Sequence, residues 1–434
     1  MTSTARTMAA SNGKARSGLR GFLGKLGPGL ITGAADDDPS GIGTYSIAGA
    51  QLGYACLWTA WFSFPLMAAI QLICARLGLV SGRGLAGLVR ERFGGKILWP
   101  ACALLAIANT VNIGADLGAM AASTAMVTGI PALYLTPLYT ALMVSLMIWT
   151  SYRQIAKIFK VLTLVLFAYV LTAFLARPNW NAVLHATLIP TLQWSGSYMA
   201  TFVALLGTTI SPYLFFWQAS QEVEEDRDQG KTTVAERKGA TEQETSDCRV
   251  DVITGSVLSN LIMYFIILTT GATLHVHGQT HITTTQMAAE ALRPLAGRAT
   301  YLLFTLGIIG TGMLSVPVLA GSTAYAIAEG ARWRDSLKWR PHRAPQFYAV
   351  LTAGLLLGLL LNYAGFDVVS MLFWSAVTNG VLAPPLIVLA VLMSSDRGVM
   401  GRHVSSPLLR TLGWLTAGIM TVAAIAMFVT LRAG

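Results

Sequence analysis

Three consecutive aspartates and a proline, Asp36-Asp37-Asp38-Pro39, interrupt an otherwise apolar stretch that runs from Leu26 to Leu52. An ionised carboxylate in the middle of a bilayer is costly unless it is paired, hydrated or neutralised. Proline removes a backbone donor and breaks a helix. Irregular backbone at membrane depth is tolerated only where it is buried in protein or lines a wet cavity. The stretch therefore predicts a broken transmembrane helix that holds a cation site.

The composition is that of an integral membrane protein. Hydrophobic residues make up 54% of the chain and charged residues 12%, whereas soluble domains carry about 25% charged residues. We expect a disordered basic tail over residues 1–25 and a single transport domain over 26–434. The net charge of +10 lies in loops between apolar spans, so it does not indicate a nucleic-acid partner. No phosphate loop, nucleophile motif or zinc motif is present, so neither an enzyme nor a cofactor is predicted.

Ten more apolar segments approach the roughly 20 residues that cross a membrane. The sequence therefore predicts an all-α protein of eleven spans. The ten segments are 58–80, 97–128, 131–150, 155–176, 197–220, 250–274, 299–328, 346–365, 367–393 and 408–431. The connections are short except for residues 221–249, which are polar and which we expect to form a mobile cytoplasmic loop.

Lysine and arginine are distributed unequally between the two sides of the predicted membrane domain. Of the 30 basic residues, 26 fall in the N-terminal tail or after even-numbered spans. The other side carries only Arg177, Arg293, Arg298 and Arg432. The positive-inside rule then predicts a cytoplasmic N-terminus and an external C-terminus in a bacterial-type inner (plasma) membrane.

A second proline interrupts span six, in Thr208-Thr209-Ile210-Ser211-Pro212. Five spans separate the two breaks, so the broken helices run antiparallel. This is the pattern of an inverted repeat, spans 1–5 against spans 6–10, with the substrate site where the breaks meet. The alternative is a proline that merely kinks its helix, as Pro317 and Pro384 could do.

The side chains at the two breaks are oxygen donors, which suit hard divalent cations such as Mg²⁺, Mn²⁺ or Ca²⁺. Asp38 directly precedes the proline and is the expected ligand, with Thr208 and Ser211 contributing oxygen from the opposite helix. Adjacent helical residues point about 100° apart. We therefore expect one of Asp36 and Asp37 to line an aqueous path and the other to be protonated. A solvated vestibule residue is the alternative for Asp36.

Other polar residues in the spans allow two interpretations. Asp116 in span three is either a proton or cation relay or a partner for a helix end. For four others, hydrogen bonding between helices is at least as plausible as a place on an ion path: Gln218, Asn379, Asp251 and Asn260. Glu222, Glu224 and Glu225 form either an acidic exit vestibule or a solvated loop face.

The external cluster of His275, His277 and His281 has metal-ligand residue types. Its Thr- and Gln-rich surroundings favour a solvated loop. No histidine lies within a predicted span, so a buried histidine proton relay is not predicted.

Nearly the whole chain, from about Leu26 to Met393, resembles the Nramp family of divalent metal transporters. Span one resembles the family's first helix with its hallmark D-P-G-N. Span two, with Gln71, Ala75-Arg76-Leu77-Gly78 and Ser81-Gly82-Arg83, is similar to Q-x-x-x-A-R-L-G-x-x-T-G-K. Span eight also matches. The resemblance implies a LeuT-type fold, alternating-access import and a divalent metal ion as substrate.

Departures from the family pattern concentrate at the two breaks. Gly41 stands where the family has Asn, Ser211 where it has the metal-binding Met, and Tyr213 and Gln218 where it has His. The family's Asp-x-x-Glu pair in helix three is reduced to Asp116. Losing the thioether removes the one soft ligand that favours transition metals, and losing bulk leaves room for a hydrated ion.

The resemblance to Nramp-related magnesium transporters implies a metal site of Asp38, Thr208, Ser211, Gly41 and Asp37. We expect a monomeric importer that favours Mg²⁺, then Mn²⁺, with weak or absent proton coupling. The alternatives are a proton-coupled Mn²⁺/Fe²⁺ transporter, a coupled carrier of a small organic solute, or a membrane sensor that binds a cation without moving it. Three aspartates argue against an anionic solute, and residues 221–249 are too short for a folded signalling domain.

Overall fold

The structure is a computed structural model that describes residues 27–150 and 164–433. The predicted tail over 1–25, the basic residues between 153 and 160, and the first part of predicted span five lie outside the described residues. Within the described residues all regular structure is helical.

The described part of the N-terminal half, residues 27–150 and 164–195, contains eight α-helices. They are α1 (Pro28–Asp36), α2 (Pro39–Leu52), α3 (Leu57–Ser81), α4 (Leu85–Phe93), α5 (Gly95–Thr128), α6 (Ala132–Trp149), α7 (Phe167–Leu175) and α8 (Trp180–Leu188).

The C-terminal half contains eleven. They are α9 (Gly196–Thr209), α10 (Pro212–Asp228), α11 (Val234–Arg237), α12 (Glu242–Thr273), α13 (Thr285–Glu290), α14 (Arg293–Ala296), α15 (Thr300–Ala331), α16 (Pro345–Asn362), α17 (Val368–Ser395), α18 (Arg397–Met400) and α19 (Pro407–Ala433).

Nine helical segments of the described chain are long and apolar enough to cross a membrane. The interrupted first span consists of α1 and α2, each of which is too short to cross a membrane by itself. The described part of predicted span five is a shorter apolar segment, Leu164–Leu175. The protein is therefore a multi-pass membrane protein, and its helices follow the predicted spans.

The two breaks have the same local construction. Each consists of two non-helical residues followed by proline at the first position of the next helix: Asp37-Asp38 before Pro39, and Ile210-Ser211 before Pro212. Proline is favourable there because the first helical N–H has no partner inside the helix. The two interruptions are thus paired breaks, not kinks.

Close helix packing surrounds the breaks. Both α1 and α2 pack on α12, and α9 packs on α17. At Gly207 an added Cβ would lie 2.3 Å from the backbone nitrogen of Gly380. Only glycine permits this approach, which fixes α9 and its break against the scaffold helix α17.

The prediction of a loop over residues 221–249 is wrong for most of the segment. Helix α10 continues to Asp228, α11 covers Val234–Arg237, and α12 begins at Glu242. Capping boxes start both α11 and α12, at Thr233 and Thr241. Such boxes satisfy the free amides of a helix start, so polar composition did not prevent helix formation. Mobility of this segment stays a prediction.

A candidate cation site at the paired helix breaks

Asp38 occupies the first break as the N-cap of α2. Its Oδ1 accepts hydrogen bonds from the Gly41 amide at 2.6 Å and from the Ser40 hydroxyl at 2.8 Å. The side chain is 1% exposed. The carboxylate therefore stabilises the start of α2 while it stands at the break.

Two other helices reach the second oxygen of Asp38. Asn112 on α5 donates through Nδ2 at 2.9 Å to Oδ2. Tyr213 on α10 donates to the Ala35 carbonyl at 3.0 Å, and its hydroxyl lies 3.5 Å from the same Oδ2. The two breaks thus meet at Asp38, as the sequence predicts.

Asp116 is connected to Asp38 through one intervening residue, Ser40. Its Oδ1 accepts from the Ser40 amide at 3.2 Å, and its Oδ2 accepts from the Ser315 hydroxyl at 3.0 Å. Asp116 is fully buried. It therefore supports the first turn of α2, and Ser40 bridges it to Asp38.

The other two aspartates of the run face α12. The Ser259 hydroxyl donates to Asp36 Oδ2 at 2.6 Å and lies 3.4 Å from Asp37 Oδ1. Asp37 also lines a mainly apolar cavity of about 260 Å³ beside α1 and α12. In the described residues, Asp36 Oδ1 is buried without a hydrogen-bond partner. Asp36 and Asp37 thus have a partner on α12, whereas the partners of Asp38 lie on α2, α5 and α10.

Oxygen atoms converge around Gly41. A Cβ there would lie 3.0 Å from Thr208 Oγ1, 3.3 Å from the Asp36 carbonyl oxygen and 3.4 Å from Asp38 Oδ1. The buried hydroxyls of Thr208 and Tyr45 interact weakly with each other, and neither has a well-formed hydrogen bond to another described group. This group of oxygens, from both breaks, is the candidate cation site.

Three predicted residues lie in other arrangements. The Ser211 hydroxyl donates to the carbonyls of Gly207 and Thr208 at 2.8 and 2.9 Å, so it satisfies its own helix end. Gln218 donates to Glu222 at 2.8 Å. Asn379 is buried in α17, one residue before the Gly380 that contacts α9. The structure brings Asp38, Thr208 and Gly41 together and leaves Gln218 in a separate hydrogen bond.

No group of three or more His, Cys, Asp or Glu side chains is arranged as a metal centre in the described chain. Two of the three clustered histidines contact nearby backbone: His275 Nδ1 lies 2.8 Å from the Ala50 carbonyl and His277 Nδ1 lies 2.6 Å from the Thr273 carbonyl. The oxygens that converge around Gly41 belong to one carboxylate, Asp38, and to two neutral groups, the Thr208 hydroxyl and the Asp36 carbonyl.

The three glutamates at the end of α10 enter different environments. Glu222 accepts from Gln218, and Glu224 accepts from Arg227 at 2.6 Å and from Ser336 at 2.9 Å. Both are buried, whereas Glu225 is partly exposed. Glu224 therefore belongs to a structural ion-pair network and not to a solvated face.

Sequence reasoning did not assign several partners of the aspartates: Ser40, Asn112, Tyr213, Ser259 and Ser315. Two had a usable signal. Asn112 precedes Asp116 by one helical turn, so both face one direction, and Tyr213 follows the break proline. The serines carry no such signal, because serine is common in membrane helices as a packing residue.

Comparison with known proteins assigns the chain to a family. Residues 29–430 match the family described as natural resistance-associated macrophage protein-like, Nramp. The chain is 28% identical over 412 residues to the divalent metal cation transporter MntH of Deinococcus radiodurans, covering 93% of this chain and 89% of that protein.

Solved structures show the same fold. The Eremococcus coleocola manganese transporter, crystallised with an aromatic bis-isothiourea substituted compound, superposes with a TM-score of 0.71 at 19% identity, covering 94% of this chain and 87% of that one. MhsT in complex with L-phenylalanine superposes with a TM-score of 0.58 at 13% identity, covering 93% and 97%.

The fold is therefore the LeuT-type fold, with the inverted repeat, the two broken helices and an additional final helix. The family match covers nearly the whole described chain. The chain belongs to the Nramp family, and it is a membrane transporter and not an enzyme.

Proposed function

We propose that this transporter imports divalent metal cations by alternating access, with Mg²⁺ as the preferred ion and Mn²⁺ next. The carrying observation is that hydroxyl, carbonyl and carboxylate oxygens from both breaks converge beside Asp38. The related MntH protein is named a divalent metal cation transporter. Hard oxygen ligands favour alkaline-earth and similar ions over soft metals.

The groups that donate hydrogen bonds to Asp38 or lie beside it can also offer an oxygen ligand when a cation is bound. Ser40 and Tyr213 hydroxyls and the Asn112 amide each carry an acceptor oxygen besides the hydrogen that they donate. Asn112 Oδ1 is buried without a partner among the described residues. Rotation of these groups would turn donors to the carboxylate into ligands for an arriving cation.

Gly41 supports the choice of a hydrated ion. The short distances from its hypothetical Cβ show that a side chain there would fill the space between Thr208 and Asp38. Mg²⁺ gives up its water reluctantly and keeps several water ligands in proteins. The glycine would leave room for such water. Thr208 supplies a hydroxyl oxygen, and Ser211 holds the break in shape.

We also propose that proton coupling is weak, and the polar groups near the site support this proposal. The six histidines of the chain lie outside the predicted spans. Asp116 is already engaged by Ser40 and Ser315. Histidine is the side chain that titrates most readily near neutral pH, and no predicted span places one near Asp38. The carboxylate of Asp116 is held by hydrogen bonds.

The second candidate is a proton-coupled Mn²⁺ transporter. Its support is the chain from Asp116 through Ser40 to Asp38, which could pass a proton between two carboxylates. The fold neighbour from Eremococcus coleocola is named a manganese transporter. Asp36 and Asp37 would in either case attract cations towards the break.

The distribution of basic residues supports an inner (plasma) membrane location with a cytoplasmic N-terminus and an external C-terminus. In this orientation the start of α1 and the connection between α10 and α12 lie on the cytoplasmic side. We propose that the monomer is the working unit, because both breaks come from one chain.

Flux into proteoliposomes tests the proposal. Purified full-length protein should take up Mg²⁺, with competition by Mn²⁺ stronger than by Ca²⁺ or Cd²⁺. A pH dye in the lumen should record little acidification per ion. Acidification in proportion to metal uptake would favour the second candidate, and absence of uptake for every divalent ion would contradict both.

A further inference from the structure

The N-terminus of α1 is capped by a carboxylate from a distant part of the chain. Asp251 on α12 accepts hydrogen bonds from the amides of Gly27 at 2.8 Å, Gly29 at 2.6 Å and Leu30 at 3.0 Å. Such amides have no partner inside their own helix, and no side chain of α1 caps this end. Asp251 therefore supplies the cap from another helix.

Backbone contact between α1 and α12 places Asp251 within reach. A Cβ on Gly29 would lie 2.7 Å from the Val252 nitrogen, and one on Gly33 would lie 2.5 Å from the Gly255 carbonyl. Larger residues at these glycines would separate the helices. The hydrogen bonds and the glycine contacts thus support one another.

The C-terminal end of α1 is held by contacts with α10 and α12. Tyr213 binds the Ala35 carbonyl and Ser259 binds Asp36, while the break at Asp37 and Asp38 separates α1 from α2. Helix α1 is therefore a nine-residue unit that is separated from α2 by the break. Its N-terminal end is held by Asp251 and the glycine contacts.

We propose that Asp251 is a positioning residue for transport, which holds α1 against α12 and keeps the route from Asp38 to the cytoplasmic side closed. Loss of its three hydrogen bonds frees the start of α1 and populates the open state. The direction of opening rests on the proposed transport function, whereas the hydrogen bonds between Asp251 and the start of α1 are observed independently of it.

Cysteine labelling of full-length protein measures this opening directly. Val252 lies against Gly29 and is 2% exposed, and the four natural cysteines are buried. In Val252→Cys protein, the added change Asp251→Asn keeps the size of the side chain but leaves one acceptor oxygen. Labelling by a thiol reagent should become about tenfold faster, since losing one hydrogen bond to a charged group shifts an equilibrium by at least that factor.

The matched control is Asp367→Asn in the same background. Asp367 also caps a helix start, accepting from the Ser370 amide at 2.8 Å, but on α17, which has no break. Its labelling rate should stay within about twofold of the parent, because the change does not alter the α1–α12 contact.

Gly29→Ala provides an independent variant, since it pushes α1 from α12 with Asp251 intact. It too should accelerate labelling. Unchanged labelling in Asp251→Asn would overturn the proposal, and so would equal acceleration by Asp367→Asn. If Asp251→Asn fails to fold, Asp251→Ser, which is smaller and also has one acceptor oxygen, takes its place, and unchanged labelling there would equally overturn the proposal. Labelling does not depend on transport. Absence of Mg²⁺ uptake would therefore contradict the proposed function, while the labelling rates would still test the role of Asp251.

Discussion

The hydroxyl of Tyr213, in the first turn after the second break, donates a 3.0 Å hydrogen bond to the carbonyl of Ala35, in the last turn before the first break. The same hydroxyl lies 3.5 Å from Asp38 Oδ2. One side chain thus connects both halves of the inverted repeat at the candidate site. A helix carbonyl freed by the break gains a partner, and the carboxylate gains a neighbour that can turn towards it or away.

Tyr213→Phe removes this connection with little change in volume. We expect the apparent affinity for Mg²⁺ to fall severalfold, because a hydrogen bond of this kind contributes about 1 kcal/mol. Concentration-dependent uptake checks the result. Tyr139→Phe is the control, since its hydroxyl contacts Thr124 at 2.7 Å in another region. Equal effects of the two variants would contradict the role of Tyr213.

Asn112→Ala removes the amide that reaches Asp38 from α5. Hydrogen bonds to charged groups contribute about 1.5–3 kcal/mol, so the half-saturating Mg²⁺ concentration should rise about tenfold or more. The control is Asn109→Ala, one turn earlier, whose amide contacts the Leu319 carbonyl and Ser322. Asn109→Ala should lower thermal stability without this affinity change. An unchanged affinity in Asn112→Ala would remove Asn112 from the site.

Gly41→Ala fills the space beside Thr208 Oγ1. We expect Mg²⁺ uptake to fall about tenfold, and Mn²⁺ uptake to fall less, because Mg²⁺ keeps its water more firmly. Gly43→Ala is the control: the three atoms nearest to its Cβ would all belong to the Leu372 side chain, the closest at 3.0 Å. Equal loss for both ions in Gly41→Ala would argue against a hydrated substrate.

The double change Gly41→Asn and Ser211→Met tests the origin of selectivity. A thioether introduces a soft ligand, so Cd²⁺ should compete with Mg²⁺ about tenfold better than in the parent protein. Competition in one flux assay measures this ratio. A ratio that stays the same while uptake persists would place the selectivity elsewhere.

Asp116→Asn tests the claim of weak coupling. An amide can still accept from Ser40 and donate to Ser315, so the network is preserved apart from its charge. We expect Mg²⁺ flux within about fivefold of the parent, since a neutral hydrogen bond is weaker than a charged one by roughly 1 kcal/mol. Abolished flux together with a lost pH dependence would support Asp116 as a proton carrier.

The breaks were predictable because the two prolines lie at matched positions of spans one and six, beside polar residues. A proline alone is not sufficient, since Pro317 and Pro384 lie inside continuous helices. The sequence located both breaks at Pro39 and Pro212, and with them the antiparallel repeat and Asp38. The orientation of Ser211 was not predictable in this way. Carbonyls left free at the end of α9 compete for its hydroxyl, and only the folded backbone determines the outcome.

The partners from other helices show a second limit. Ser259 and Ser315 reach the aspartates because of how α12 and α15 pack, and nothing in their local sequence distinguishes them. The segment 221–249 is a different case. Its capping boxes at Thr233–Glu236 and Thr241–Glu244 were visible as a T-x-x-E pattern, but polar composition alone suggested a loop.

The most direct test of the account is Mg²⁺ uptake by Asp38→Ala protein in proteoliposomes, compared with the parent and with Asp367→Asn at equal reconstitution. Asp38 is the carboxylate that both breaks share, so its removal should reduce uptake to the level of empty liposomes while Asp367→Asn transports normally. Divalent flux that survives in Asp38→Ala would contradict the site at the paired helix breaks.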